Sequence, residues 1–250
     1  MFADLNYLQL MIAITALFLG GFSKGVTGIG LPMIITPSLA YIYGIQVAVP
    51  VVAISTVTTN ILVIGKYRRV WREVLLIWPM LISGLATTVL GVFALRYSDP
   101  KILAITLAVM AIGYVILNFS GNQIRIPSHR LKVFAPVMGG LAGFFQGTTG
   151  VCGPLVVAYL SGFKDFSREA YFYALSLVFL LFSMNQVSGY FVSGIYSSEI
   201  AWMGVLLSLP VICSFYIGIR LQERLDIEKV RFVTLLIILT SGINLLVANV

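Results

Sequence analysis

Lys24 and Gln146 occupy the same place in two copies of one short motif, GFSKGVTGIGLP at 21–32 and GFFQGTTGVCGP at 143–154. The copies share Gly21/Gly143, Phe22/Phe144, Gly25/Gly147, Thr27/Thr149, Gly28/Gly150 and Pro32/Pro154. The chemistry on offer is hydrogen-bond donation. Lys24 brings a full positive charge, Gln146 an amide, and Thr27 and Thr149 hydroxyls. Gly25, Gly28, Gly147 and Gly150 permit the backbone to unwind and present free N–H groups. Pro32 and Pro154 then restart a helix, because proline at the first helical turn forfeits only an N–H that has no partner there. The amino end of each new helix carries about half a positive charge. Such a set suits a small oxyanion with several acceptor oxygens.

The elements that must position these groups lie in a membrane. Of the 250 residues 59% are hydrophobic and 10% charged, with a mean hydropathy of +1.01, too little polar surface for a soluble globule of this size. The first apolar run follows Asp4 with no basic residue before it, so it reads as retained and not as a cleaved signal. A net charge of +7 needs no nucleic-acid partner when loop charges obey the positive-inside rule. Cys152 and Cys213 both sit in apolar sequence and His129 in a polar linker, which gives a metal, a cofactor or a disulfide framework nothing to build on.

Apolar stretches fall at about 7–20, 32–44, 47–65, 73–95, 102–119, 131–146, 154–163, 170–191, 199–219 and 231–248. They predict an all-α polytopic membrane protein of two repeats, 1–119 and 133–250, joined by a cytoplasmic linker at 120–132 within a single membrane domain. Each repeat holds five helical segments and opens with a broken or re-entrant hairpin around the glycine motif. Five segments, or three crossings and a returning hairpin, have odd parity, so the copies are expected to be inverted. The loop charges agree. Lys66, Arg68, Arg69 and Arg72 join the third and fourth segments of the first half, whereas SGIYSSE at 193–199 in the second half has no basic residue. With 66–72 in the cytoplasm, Arg125, Arg130, Lys132, Lys164, Arg168, Arg220, Arg224, Lys229 and Arg231 fall there too. Only Arg96 and Lys101 lie outside, and both termini are expected to be extracytoplasmic.

Non-helical backbone at membrane depth is tolerated where it is buried in protein or lines a cavity. In inverted copies the amino ends near Pro32 and Pro154 point at each other across one midplane site. Lys24 has no evident carboxylate partner, since all nine acidic residues fall at ends or connections. A lysine at the centre of a spanning helix costs about 2.5–3.5 kcal/mol. An anionic substrate offsets that cost. The competing reading is structural: the glycines serve close packing, and Lys24 caps the first segment or snorkels to water.

Polar residues in the third segment (Ser55, Thr56, Thr58, Thr59, Asn60) and its counterpart (Ser176, Ser183, Asn185, Gln186, Ser188) form a second tier. The amides Asn60, Asn185 and Gln186 are the stronger candidates because a buried amide needs partners on both its donor and acceptor sides. Phe22, Phe144 and Phe145 either wall the cavity or pack, and Cys152 reads as a small buried residue.

The paired Gly-Phe-x-x-Gly-x-Thr-Gly-(Ile/Val)-x-x-Pro motifs resemble the TauE/SafE sulfite exporter family, also called the 4-toluene sulfonate uptake permeases. The resemblance extends over the whole chain and departs from a glycine-richer pattern at Leu31 and Cys152. It implies a multi-pass inner-membrane transporter for sulfite or organosulfonates such as sulfoacetate, most often an exporter. Three alternatives stand beside secondary transport by rocking inverted halves. One is an anion channel or facilitator, and another is proton-coupled export. The third is an intramembrane enzyme built on GYFVSG at 189–194, which lacks a histidine base or a carboxylate pair in any span. The sequence assigns neither an oligomeric state nor an exact substrate.

Overall fold

The computed structural model describes residues 6–120 and 126–250; Asp4 and Arg125, used above in the charge reading, lie outside the described residues, as does 121–125 of the linker. The described chain is all-helical, with ten α-helices in the order the hydropathy predicts. They are α1 (Tyr7–Thr27), α2 (Leu31–Tyr43), α3 (Ile45–Lys66), α4 (Trp78–Tyr97), α5 (Pro100–Phe119), α6 (Leu131–Thr149), α7 (Gly153–Leu160), α8 (Arg168–Val192), α9 (Ser198–Leu221) and α10 (Ile227–Asn249). Seven, namely α1, α3, α4 with the turn before it, α5, α8, α9 and α10, are long and apolar enough to cross a membrane. Helices α2 and α7 are short, at 13 and 8 residues.

The break in each motif is narrower than the glycine content suggests. Helix α1 runs unbroken through Gly20, Gly21 and Gly25 and ends only at Gly28, whose φ of +80° places it in the left-handed region that favours glycine. Gly30, at φ +111°, completes the turn into α2. Likewise α6 continues to Thr149 and stops at Gly150, at φ +72°. Pro32 and Pro154 each lie in the first turn of the following helix, where the sequence puts them.

The remaining motif glycines join helices. A Cβ on Gly21 would strike the Val211 carbonyl and the Ser214 hydroxyl, and one on Gly25 the Phe215 carbonyl, so α1 lies backbone to backbone and parallel with α9. The second copy repeats this on α4: Gly139 abuts the Met80 carbonyl, Gly143 that of Gly84, and Gly147 that of Thr88, with Gly91 opposite. Small residues spaced four apart permit this approach. The opening helix of each half therefore packs on the fourth helix of the other half. Helices α3 and α8 run antiparallel at the centre, with Tyr67 on Phe172 at one end and Tyr196 bonded to Pro50 toward the other. Helices α5 and α10 form a second antiparallel pair, from Asn118–Arg231 to Lys101–Val250.

Candidate functional site

Lys24 is in the last turn of α1 and only 2% exposed. It does not snorkel. Its Nζ donates to Asn60 Oδ1 at 2.8 Å and lies 5.2 Å from the centroid of the Phe179 ring. Asn60 in turn donates to the Thr56 carbonyl at 2.7 Å, which fixes the amide with its oxygen toward the ammonium. The last turn of α1 is closed instead by the Gly28 N–H, which donates to the Lys24 carbonyl at 2.8 Å.

The second copy builds the same relation from neutral groups. Gln146 Nε2 donates to Gln186 Oε1 at 3.0 Å and to Ser183 Oγ at 3.2 Å, while Gln186 returns a bond to the Gln146 carbonyl. The network continues: Gln186 Nε2 donates to Tyr190 Oη at 2.6 Å, and Tyr190 Oη donates to the Gly147 carbonyl at 3.0 Å. Cys152 Sγ donates to Gln146 Oε1 at 3.0 Å. Thus each motif sends one polar side chain from its first helix to an amide on the third helix of its own half.

The two breaks meet. A methyl group at Gly153, the first residue of α7, would touch Ile29 Cγ2 and Met33 Sδ at 3.7 Å and the Phe179 ring at 3.9 Å. Phe179 thereby borders both Lys24 and the start of α7. One methyl placed on Gly150 would lie 3.4 Å from Val49 and 3.9 Å from Thr36 Oγ1. Thr36 is fully buried and its hydroxyl has no hydrogen-bond partner.

Other predicted residues are placed differently. Thr27 Oγ1 donates to the Ser23 and Ile29 carbonyls, and Thr149 Oγ1 donates to the Phe145 carbonyl and accepts from the Val151 N–H. Both hydroxyls are spent on the turn. Gly25 and Gly147 sit in the helix crossings, Gly28 and Gly150 in the turns. Asn185 points away from Gln146 and donates to the Leu85 carbonyl of α4 at 2.7 Å. Thr56, Thr58, Thr59 and Ser188 bond back to their own helices. Phe144 is exposed on the outer face. The sequence reading missed Phe179, Tyr190 and Thr36. Tyr190 lies one turn beyond Gln186 on α8, and that spacing is a signal that could have found it.

The chain matches the family described as Sulfite exporter TauE/SafE over residues 12–245. It belongs to the TauE/SafE family. No curated protein and no solved structure matches the chain. Membership makes this TauE/SafE protein a multi-pass membrane protein of a transporter family, in keeping with its seven span-length apolar helices. Among the described residues no cluster of His, Cys, Asp or Glu could hold a metal ion.

Proposed function

We propose that the chain is a secondary transporter that exports small sulfur oxyanions, sulfite or organosulfonates such as sulfoacetate, through a midplane site shared by two inverted repeats. The observation that carries this reading is Lys24: a fully buried ammonium, held by one neutral amide and one ring face, beside the junction of both helix breaks. A buried cation without a carboxylate is costly, and an anion arriving at the junction supplies the missing countercharge. The helix starts at Pro32 and Pro154 add donor N–H groups of the same sign. Lys24 supplies charge, Gln146 and Asn60 orient, and the Gly28 and Gly150 turns keep side chains away from the junction.

Inversion is supported by helix directions. Helix α1 is parallel with α9 and α6 with α4, while α4 and α9 leave opposite ends of the antiparallel α3–α8 pair. With the basic connection 66–72 in the cytoplasm of a cell whose inner membrane holds the protein, both termini lie outside. A negative interior already drives anion exit, so facilitated export ranks above proton coupling. Among the described residues, Lys24 Nζ meets the Asn60 amide and the Phe179 ring, neither of which titrates near neutral pH.

Sulfite and sulfoacetate flux from proteoliposomes tests the reading. Lys24→Ala should lower flux at least tenfold in protein that still elutes as a folded species. Flux at the unaltered level would remove Lys24 from the mechanism.

A further inference from the structure

The two ends of the central α3–α8 pair are closed by different means. At the end that carries the basic residues, Phe172 lies against Gly28, where a Cβ would come within 2.5 Å of its ring. Tyr67 stacks on Phe172, with centroids 6.2 Å apart and planes at 17°. Lys66 sits 5.1 Å from the Tyr67 ring centroid and Arg168 5.8 Å from that of Phe172. The ring pair lines a cleft of about 20 Å³ that reaches Lys24 and is lined also by Val63, Phe215, Ile219 and Gln222, whose Nε2 donates to the Val26 carbonyl at 2.9 Å. That space holds about one water.

The opposite end is pinned by directed bonds. Tyr196 Oη donates to the Pro50 carbonyl at 2.8 Å, and Tyr190, edge-on to Tyr196 at 5.7 Å, is fixed by Gln186 and Gly147. Val49 faces Gly150 where Phe172 faces Gly28. Opening that end would strand buried donors and acceptors, whereas swinging Phe172 off Gly28 strands none.

We infer that Phe172 and Tyr67 form the gate through which an anion reaches Lys24, from the side bearing Lys66 and Arg168, while Tyr190 and Tyr196 hold the far side shut. The inference rests on Lys24 as the anion's ligand, and it assigns the gate to two residues outside both glycine motifs. Arg168 and Lys66 give the approach a positive field, and the ring pair sets the width an anion must pass.

Thiol labelling tests this apart from transport. In a Cys213→Ser background, where the remaining Cys152 is buried, Val63→Cys reports on the cleft and Val49→Cys on the far side. Exposed Arg69→Cys marks the basic side of the vesicle. A charged methanethiosulfonate should modify Val63→Cys only from the side that modifies Arg69→Cys, and Val49→Cys at least tenfold more slowly. Phe172→Ala should speed Val63→Cys labelling at least tenfold without moving Val49→Cys, and Phe172→Trp should slow it. Tyr196→Phe should leave Val63→Cys unchanged. Equal labelling of both cysteines, labelling of Val63→Cys from the far side, or indifference to both Phe172 variants would overturn the gate. If Lys24→Ala kept full flux while these labelling results held, the gate would stand and the anion site would fall.

Discussion

Lys24 Nζ reaches Asn60 Oδ1 at 2.8 Å across the α1–α3 boundary, and the amide that receives it is itself locked to the Thr56 carbonyl. The arrangement leaves a buried cation with one neutral hydrogen-bond acceptor. Asn60→Leu should therefore be more harmful than the loss of an ordinary buried amide, because the ammonium keeps its burial and loses its partner. We expect a destabilisation of about 3 kcal/mol for Asn60→Leu alone. Lys24→Met should relieve most of it in the double variant, read as a double-mutant cycle on thermal unfolding in detergent.

The glutamine network predicts a different outcome in the second half. Gln186→Leu leaves Gln146 Nε2 with Ser183 Oγ alone and takes a donor from the Gln146 carbonyl and from Tyr190 Oη, at about 1–3 kcal/mol in all. Asn185→Leu, one residue earlier, breaks a bond to Leu85 at the α4 face. Both variants should lower Tm, but Gln186→Leu alone should also reduce sulfite flux. Equal loss of flux in the two would show that Gln186 contributes only to folding.

Glycine positions can be sorted by what a methyl would meet. Gly218→Ala would drive Cβ to 2.5 Å from the Phe22 carbonyl, and overpacking of that kind costs about 1–3 kcal/mol. Gly113→Ala, with nothing within 4 Å, should be neutral or stabilise by up to about 1 kcal/mol through helix propensity. Tm measured on the purified pair checks the contrast.

Thr36 separates stability from function. Its buried hydroxyl lacks a partner, so Thr36→Val should leave Tm equal or higher. If that hydroxyl serves an anion at the Gly150 turn, the same variant should raise the KM for export severalfold. Unchanged KM would confine Thr36 to packing.

The sequence made the ten-helix order, both breaks and both restarting prolines legible, since hydropathy and proline act locally. It could not divide the glycines. Gly21, Gly25 and Gly28 look alike in an apolar run, yet two accept a neighbouring backbone and one adopts positive φ, a difference fixed by α9. Nor could it choose between Asn185 and Gln186. Adjacent helical residues point about 100° apart, and the rotation of α8 is set where Phe182 fills the space over Gly84, far away in sequence. Asn60 is legible as a buried amide of the third segment but not as the partner of Lys24, because the polar residues from Ser55 to Asn60 spread around α3 and mark no single inward face.

The backbone crossings of α1 with α9 and of α6 with α4 bear on biosynthesis. Helix α1 leaves the ribosome before α9, so its glycine face has no mate until α9 has been made. Lys24 must therefore be tolerated in the bilayer through that interval, with Asn60 as its earliest available companion. A ribosome stalled before residue 198 should leave α1 open to proteolysis, and release of α9 should close it.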